Sequence, residues 1–137
     1  MTFLFDASSM IQMFRSFEEE ETLRMLDKNA ILDLSKYEVG NALWKQHVLR
    51  HAISKTEFEE FLSLLQRVIT HTRILTITAE DLPKIAKIAA EERITFYDAS
   101  YITVARNNDL TLTTEDEALT RVASRRIKTA TVKEIKS

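Results

Sequence analysis

Four acids, Asp6, Glu38, Asp98 and Asp116, stand where carboxylates can do chemistry. Asp6 ends the apolar run Thr2-Phe-Leu-Phe, and a charge at the edge of a core segment is costly unless it is capped, paired or bound to a cation. Glu38 is expected in the first turn of the helix that follows a second strand. Asp98 is expected immediately before a helix, inside Ile-Thr-Phe-Tyr-Asp-Ala-Ser-Tyr-Ile. Asp116 follows a fourth strand at the start of its helix. Gathered at one point, such acids repel severely without a cation, and an all-oxygen set suits Mg²⁺ or Mn²⁺ rather than zinc. These ions commonly activate water against a phosphodiester.

Each acid has a plainer reading as a helix cap. Asp6 and Asp98 qualify as N-caps, and Ser35…Glu38, Ser54…Glu57 and Thr114…Glu117 all match the capping-box pattern. The chemical reading rests on the sum of the positions and on the apolar flanks of Asp6 and Asp98, where Ser or Thr would cap as well.

The elements that must position these acids alternate. Apolar runs at Thr2–Phe5, Ala30–Leu34, Arg73–Thr76 and Asp109–Leu112 read as strands, with a possible last strand near Lys128–Val132. Helical spacing is read over Ser8–Phe17, Glu18–Lys28, Ser35–Arg50, Ser54–Ile69, Thr78–Glu92, Ala99–Asn107 and Thr114–Ser124, with Ile94–Tyr97 as an apolar link. Val39, Ala42, Leu43 and Trp44 form the apolar face of the third helix. Pro83 is tolerated in the first turn of its helix. Short strands alternating with helices predict an α/β fold, a three-layer α/β/α sandwich around a mainly parallel sheet, formed by one domain over residues 1–137. Ligand sites in such a sheet lie outside the carboxyl ends of the strands, so four distant acids can meet there.

Composition narrows the chemistry. A chain of 137 residues that is 45% hydrophobic and 29% charged suits a soluble globular domain. Without cysteine there is no disulfide framework and no thiolate chemistry, which fits a reducing cytoplasm, and no signal peptide is visible. The single glycine, Gly40, excludes the glycine-rich phosphate loops of Walker and dinucleotide sites. A net charge of -2 argues against a generally basic nucleic-acid binder. Charge is nonetheless uneven, with an acidic block at Glu18–Glu21 and a basic tail from Arg121 to Ser137.

Four segments together carry a family resemblance: Phe-Asp6-Ala-Ser8, Glu38-Val-Gly-Asn41-Ala-Leu, Tyr97-Asp98-Ala-Ser-Tyr101-Ile-Thr-Val-Ala105 and Leu112-Thr-Thr114-Glu-Asp116-Glu-Ala-Leu119. In this order and spacing the chain resembles PIN-domain proteins of the VapC toxin type, over essentially its whole length. The resemblance implies an Mg²⁺- or Mn²⁺-dependent endoribonuclease acting on RNA. It implies metal ligands at Asp6, Glu38, Asp98 and Asp116, polar support from Ser8 and Thr114, and Asn41 close by. It also implies a homodimer and a small VapB-like antitoxin that blocks the site. Lys45, Arg50 and Arg106, on helices expected to begin at the site, are candidates to hold the RNA backbone. The rival from another class is a non-catalytic PIN-like RNA-binding or scaffold protein whose carboxylates are only caps. A receiver-like phosphoacceptor lacks its acidic pair here, and an aspartyl-nucleophile phosphatase lacks its second Asp, because Ser8 holds that position. His47 and His51 are four apart, but no zincin glutamate lies between them.

Overall fold

The computed structural model describes residues 1–136. Five short strands, β1 (Phe3–Phe5), β2 (Ala30–Leu32), β3 (Arg73–Leu75), β4 (Thr111–Thr113) and β5 (Thr129–Ala130), form one sheet in the order β3-β2-β1-β4-β5. Every pairing is parallel. The helices are α1 (Ala7–Ser16), α2 (Glu19–Asp27), α3 (Asp33–Trp44), α4 (Lys55–His71), α5 (Asp81–Glu92), α6 (Phe96–Asn107), α7 (Glu117–Ala123) and α8 (Val132–Ile135). A π turn, Lys45–Leu49, continues α3.

The pleat sends successive strand residues to opposite faces, and this divides the core in two. Leu4, Ala30, Leu32 and Leu112 pack with Ile85 and Ile88 of α5, Ile102 and Ala105 of α6, and Leu119 of α7. Phe5 and Ile31 pack on the other face with Met10 and Met13 of α1, Leu26 of α2, Val39 and Leu43 of α3, and Val68 of α4. The expected α/β/α sandwich is present, with a sheet that is parallel throughout. Among the described residues no helix is long and apolar enough to cross a membrane.

The connections run outward from β1 through β2 to β3, then return to β4 and β5 on the other side. The strand order therefore reverses between β1 and β4, and the crevice beyond their carboxyl ends is the usual ligand position of such sheets. Asp6 leaves β1 there, and Thr114 and Asp116 leave β4.

Several expected boundaries move. The helix after β2 starts at Asp33, whose carboxylate pairs with Lys36 at 2.6 Å, and not at Ser35. Ser35…Glu38 is consequently no capping box: Ser35 is buried inside the helix, and Glu38 lies in its second turn. The helix containing Asp98 starts at Phe96, absorbing part of the apolar link, and its N-cap is Thr95. Thr114…Glu117 is not a box either, because Asp116 is the cap of α7. Ser54…Glu57 is a complete box. Trp44, assigned to the apolar face of the third helix, is 43% exposed.

Candidate active site

Asp6 is the most constrained of the four acids. It is the N-cap of α1, with Oδ1 accepting from Ser9 N at 2.9 Å and from Ser8 Oγ at 2.8 Å. Thr114 Oγ1 donates to the other carboxylate oxygen. Each hydroxyl has one proton and gives it to Asp6, so the 3.1 Å approach of Ser8 to Thr114 is packing and not a further bond. The hydroxyls are held in turn by Glu115 N on Ser8 and Asp116 N on Thr114, at 2.9 and 3.1 Å. Ser9 alone would satisfy a cap; two further hydroxyls, converging from the first turn of α1 and from just past β4, build a fixed anion. Burial pushes the Asp6 acid above its ordinary range, against the opposing pull of these donors.

Glu38 reaches the same edge from α3. Tyr101 of α6, only 1% exposed, donates its phenolic proton to Glu38 Oε1 at 2.6 Å. Ser35 Oγ lies 2.9 Å from that phenol and 3.4 Å from the Phe5 carbonyl. Because the phenol's proton goes to Glu38, the Ser35 hydroxyl must donate to the phenol. The result is a donor chain from Ser35 through Tyr101 to Glu38. Desolvation raises the Glu38 acid, and the Asp98 and Asp6 carboxylates raise it further, while the Tyr101 bond opposes them. Tyr101 itself is pushed far up by burial and by Glu38, so it stays a proton donor.

Asp98 is half-buried in the first turn of α6, and its carboxylate has no capping duty, since Thr95 Oγ1 accepts from the Asp98 backbone N–H at 3.0 Å. Its acid is raised by desolvation, then by Asp116 and Asp6. Asp116 is exposed and caps α7 through a bond from Leu119 N at 3.1 Å. Of its acidic neighbours, Glu115 is committed to Val132 N at 2.9 Å, and Glu117 opens α7.

The four sequence-selected acids thus share one sheet edge, where Asp98 and Asp6 raise the Glu38 acid and Asp116 and Asp6 raise the Asp98 acid. Their donors are all oxygens, and three of the acids are lifted by burial with neighbouring carboxylates adding to the rise in Glu38 and Asp98, a set that fits a hard divalent cation. In the present side-chain arrangement no three ligating side chains among the described residues converge on a single point. Asn41 lines a cleft of about 290 Å³ beside Glu38, together with Lys45 and Arg50. Arg106 does not belong here. It sits at the other end of α6, lining a cleft with Thr2 and Thr111 at the opposite edge of the sheet. The histidines are not a metal pair: His47 stacks on Phe58 with ring centroids 5.0 Å apart and bonds the Ile53 carbonyl, and His51 lies beyond the π turn. Two contributors carried no assigned role in the sequence. Tyr101 could not be linked to Glu38 locally, whereas Thr95…Asp98 does match a cap pattern.

Comparison with known proteins shows the family and the fold. The family model described as PIN domain matches residues 3–125. Exonuclease VapC9 of Pyrobaculum aerophilum is 34% identical over 119 residues, covering 85% of this chain and 82% of the relative. Ribonuclease VapC3 of the same organism is 29% identical over 123 residues, covering 87% and 92%. Among solved structures, PAE2754 from Pyrobaculum aerophilum superposes with a TM-score of 0.75 at 28% identity, over 96% of this chain and 90% of that one. FitAB bound to an IR36 DNA fragment shares the fold, with a TM-score of 0.68 at 13% identity over 99% of both chains. The chain belongs to the PIN-domain family and, within it, to the VapC type.

Proposed function

We propose that this protein is the nuclease toxin of a toxin–antitoxin pair, an endoribonuclease that cuts RNA phosphodiester bonds with Mg²⁺ or Mn²⁺ held by Asp6, Glu38, Asp98 and Asp116. The observation that carries this reading is the convergence of the Ser8 and Thr114 hydroxyls on Asp6 at the strand-order reversal, beside two further raised carboxylates. The names of the two Pyrobaculum relatives support nuclease chemistry, one as an exonuclease and one as a ribonuclease. A divalent cation held by these acids would lower the pKa of its water, so that hydroxide is available as the nucleophile toward phosphorus, and would offset the charge of the phosphate.

The chain's own residues prepare that site. Ser8 and Thr114 fix the Asp6 carboxylate, and Tyr101 occupies Oε1 of Glu38, leaving Oε2 outside that bond. Asp98, free of any cap, is the acid available to move onto a ligand. Exposed Asp116 and half-exposed Glu38 and Asp98 leave the site open along the sheet edge, which suits an internal bond better than a strand end. Circular RNA tests this point: cleavage with Mn²⁺ supports endonucleolytic action, and cutting confined to linear RNA refutes it.

The scaffold alternative draws on Asp6 and Asp116, which do cap helices; it does not account for Asp98. The homodimer and the antitoxin belong to the same proposal. Tyr37, Trp44, Val48 and Leu49 on α3 and its π turn, with Phe96 and Tyr97 on α6, are all exposed. Tyr37, Phe96 and Tyr97, the first and last of them next in sequence to Glu38 and Asp98, line a largely apolar cleft of about 370 Å³, a surface suited to a protein partner. Light scattering reads the dimer directly, and co-expression with the product of a short neighbouring reading frame reads the antitoxin.

A further inference from the structure

In a regular helix each residue advances by roughly 100°. Counting from Glu38, Asn41 and Lys45 then fall within roughly 60° of it on α3, but Arg50 points roughly 120° away. Residues Lys45–Leu49 form a π turn instead, closed by Arg50 N on the Lys45 carbonyl at 3.0 Å. A π turn advances only roughly 80° per residue, so Arg50 comes back to within roughly 30° of Glu38. The cleft agrees with this arithmetic, because its walls are Glu38, Asn41, Ala42, Lys45, Gln46 and Arg50.

The cleft is cationic apart from Glu38. Among the described residues neither Lys45 nor Arg50 has an ion-pair partner. Gln46 is held by Arg15 of α1, which brings a third cation to the rim. Lys45 lies about 10 Å along the helix from Glu38, and Arg50 lies farther along the same cleft. Free cations in line with a candidate phosphodiester site, at increasing distance from it, match a polyanion better than a single small anion.

We propose that the π turn re-aims Arg50 so that Lys45 and Arg50 form a track for the backbone phosphates of single-stranded RNA leading away from the carboxylates. This rests on the ribonuclease reading and adds to it the direction in which the strand lies. π turns inside α-helices often mark functional positions, and here the turn serves to place one guanidinium.

The test is binding of a short fluorescein-labelled single-stranded RNA to the Asp98→Asn protein, which holds the strand without cutting it, titrated over a range of salt. Lys45→Ala and Arg50→Ala should each weaken binding about fivefold to tenfold at low salt and each reduce the slope of log K against log salt by about 0.7. Arg50→Lys should keep the slope. Lys87→Ala, on the far face of the sheet, should change neither quantity and so controls for net charge. Slopes unmoved by Lys45→Ala and Arg50→Ala, or slopes moved equally by Lys87→Ala, overturn the track, and so does an Asp98→Asn protein that binds no RNA. Cleavage by the wild-type protein is scored separately, so the ribonuclease reading stands or falls without reference to these slopes.

Discussion

Replacing Tyr101 with Phe removes one hydroxyl and leaves the ring in place, so no cavity opens and the change isolates the hydrogen bond to Glu38. That bond is 2.6 Å long and ends on a carboxylate. Loss of a hydrogen bond to a charged group costs about 1.5–3 kcal/mol. Glu38 is only half-buried, so water replaces part of the bond, and about 1–2 kcal/mol remains. Ser35 Oγ is left with the Phe5 carbonyl at 3.4 Å, a poor substitute. For a chain of this size the loss lowers the melting midpoint by about 3–8 °C. The second effect is on Mn²⁺. With Glu38 unrestrained and its acid raised further, affinity should fall about tenfold, cutting the stabilisation by saturating Mn²⁺ by about 1.4 kcal/mol. Thermal melts in EDTA and over a Mn²⁺ series measure both effects. A Tyr101→Phe protein with the wild-type midpoint and the wild-type Mn²⁺ gain would refute the positioning role.

Asp6, Glu38 and Asp98 have acids raised above their ordinary values of 3.8, 4.5 and 3.8. An acid with a higher pKa in the folded chain gives stability that is present below its unfolded pKa and lost as pH rises through the folded value. In EDTA these groups therefore destabilise the protein as pH climbs above about 4; saturating Mn²⁺ should remove that fall, and melts with the same pH slope in both conditions would contradict it. Asp81 behaves oppositely. Its buried carboxylate accepts from Thr78 N at 2.8 Å, Thr78 Oγ1 at 3.1 Å and Asn107 Nδ2 at 2.9 Å, tying the start of α5 to the end of α6. The Thr78 backbone bond leads in lowering this acid, so its contribution is present above the ordinary aspartate range and is lost as pH falls through the lowered value. Asp81→Ala should cost about 2–4 kcal/mol in urea unfolding near neutral pH, and a cost under 0.5 kcal/mol would show the tie to be idle. Leu112→Ala, on β4 between β1 and β5 and fully buried, should cost about 2–5 kcal/mol by the same measurement.

The sheet and its helices were legible because strand and helix periods alternate so regularly along the chain. The site was legible as positions: each acid follows a strand or opens a helix, and a parallel sheet puts such places at one edge. Boundaries were harder, for a physical reason. Ser35…Glu38 and Thr95…Asp98 carry nearly the same cap pattern, yet only Thr95 caps; Ser35 is taken by Tyr101, a partner 66 residues away. Local pattern cannot choose between such rivals when tertiary contacts decide. Arg106 was a different error, since α6 carries it back to the opposite edge of the sheet beside Thr2 and Thr111, whereas Arg50 shares a cleft with Glu38. The π turn has no such signature in the sequence, and a regular helix would have turned Arg50 away from Glu38.

The four carboxylates are proposed to hold a cation for RNA cleavage, and Asp98 tests this best because, unlike Asp6 and Asp116, its side chain has no cap to lose. The measurement is cleavage of single-stranded RNA by the wild-type protein with Mn²⁺ or Mg²⁺, by the same protein in EDTA, and by Asp98→Asn with the metal restored. Cutting in the first reaction alone, with Asp98→Asn folded to the same melting midpoint within a few degrees in EDTA, is the predicted result. Equal cleavage in all three reactions would contradict it.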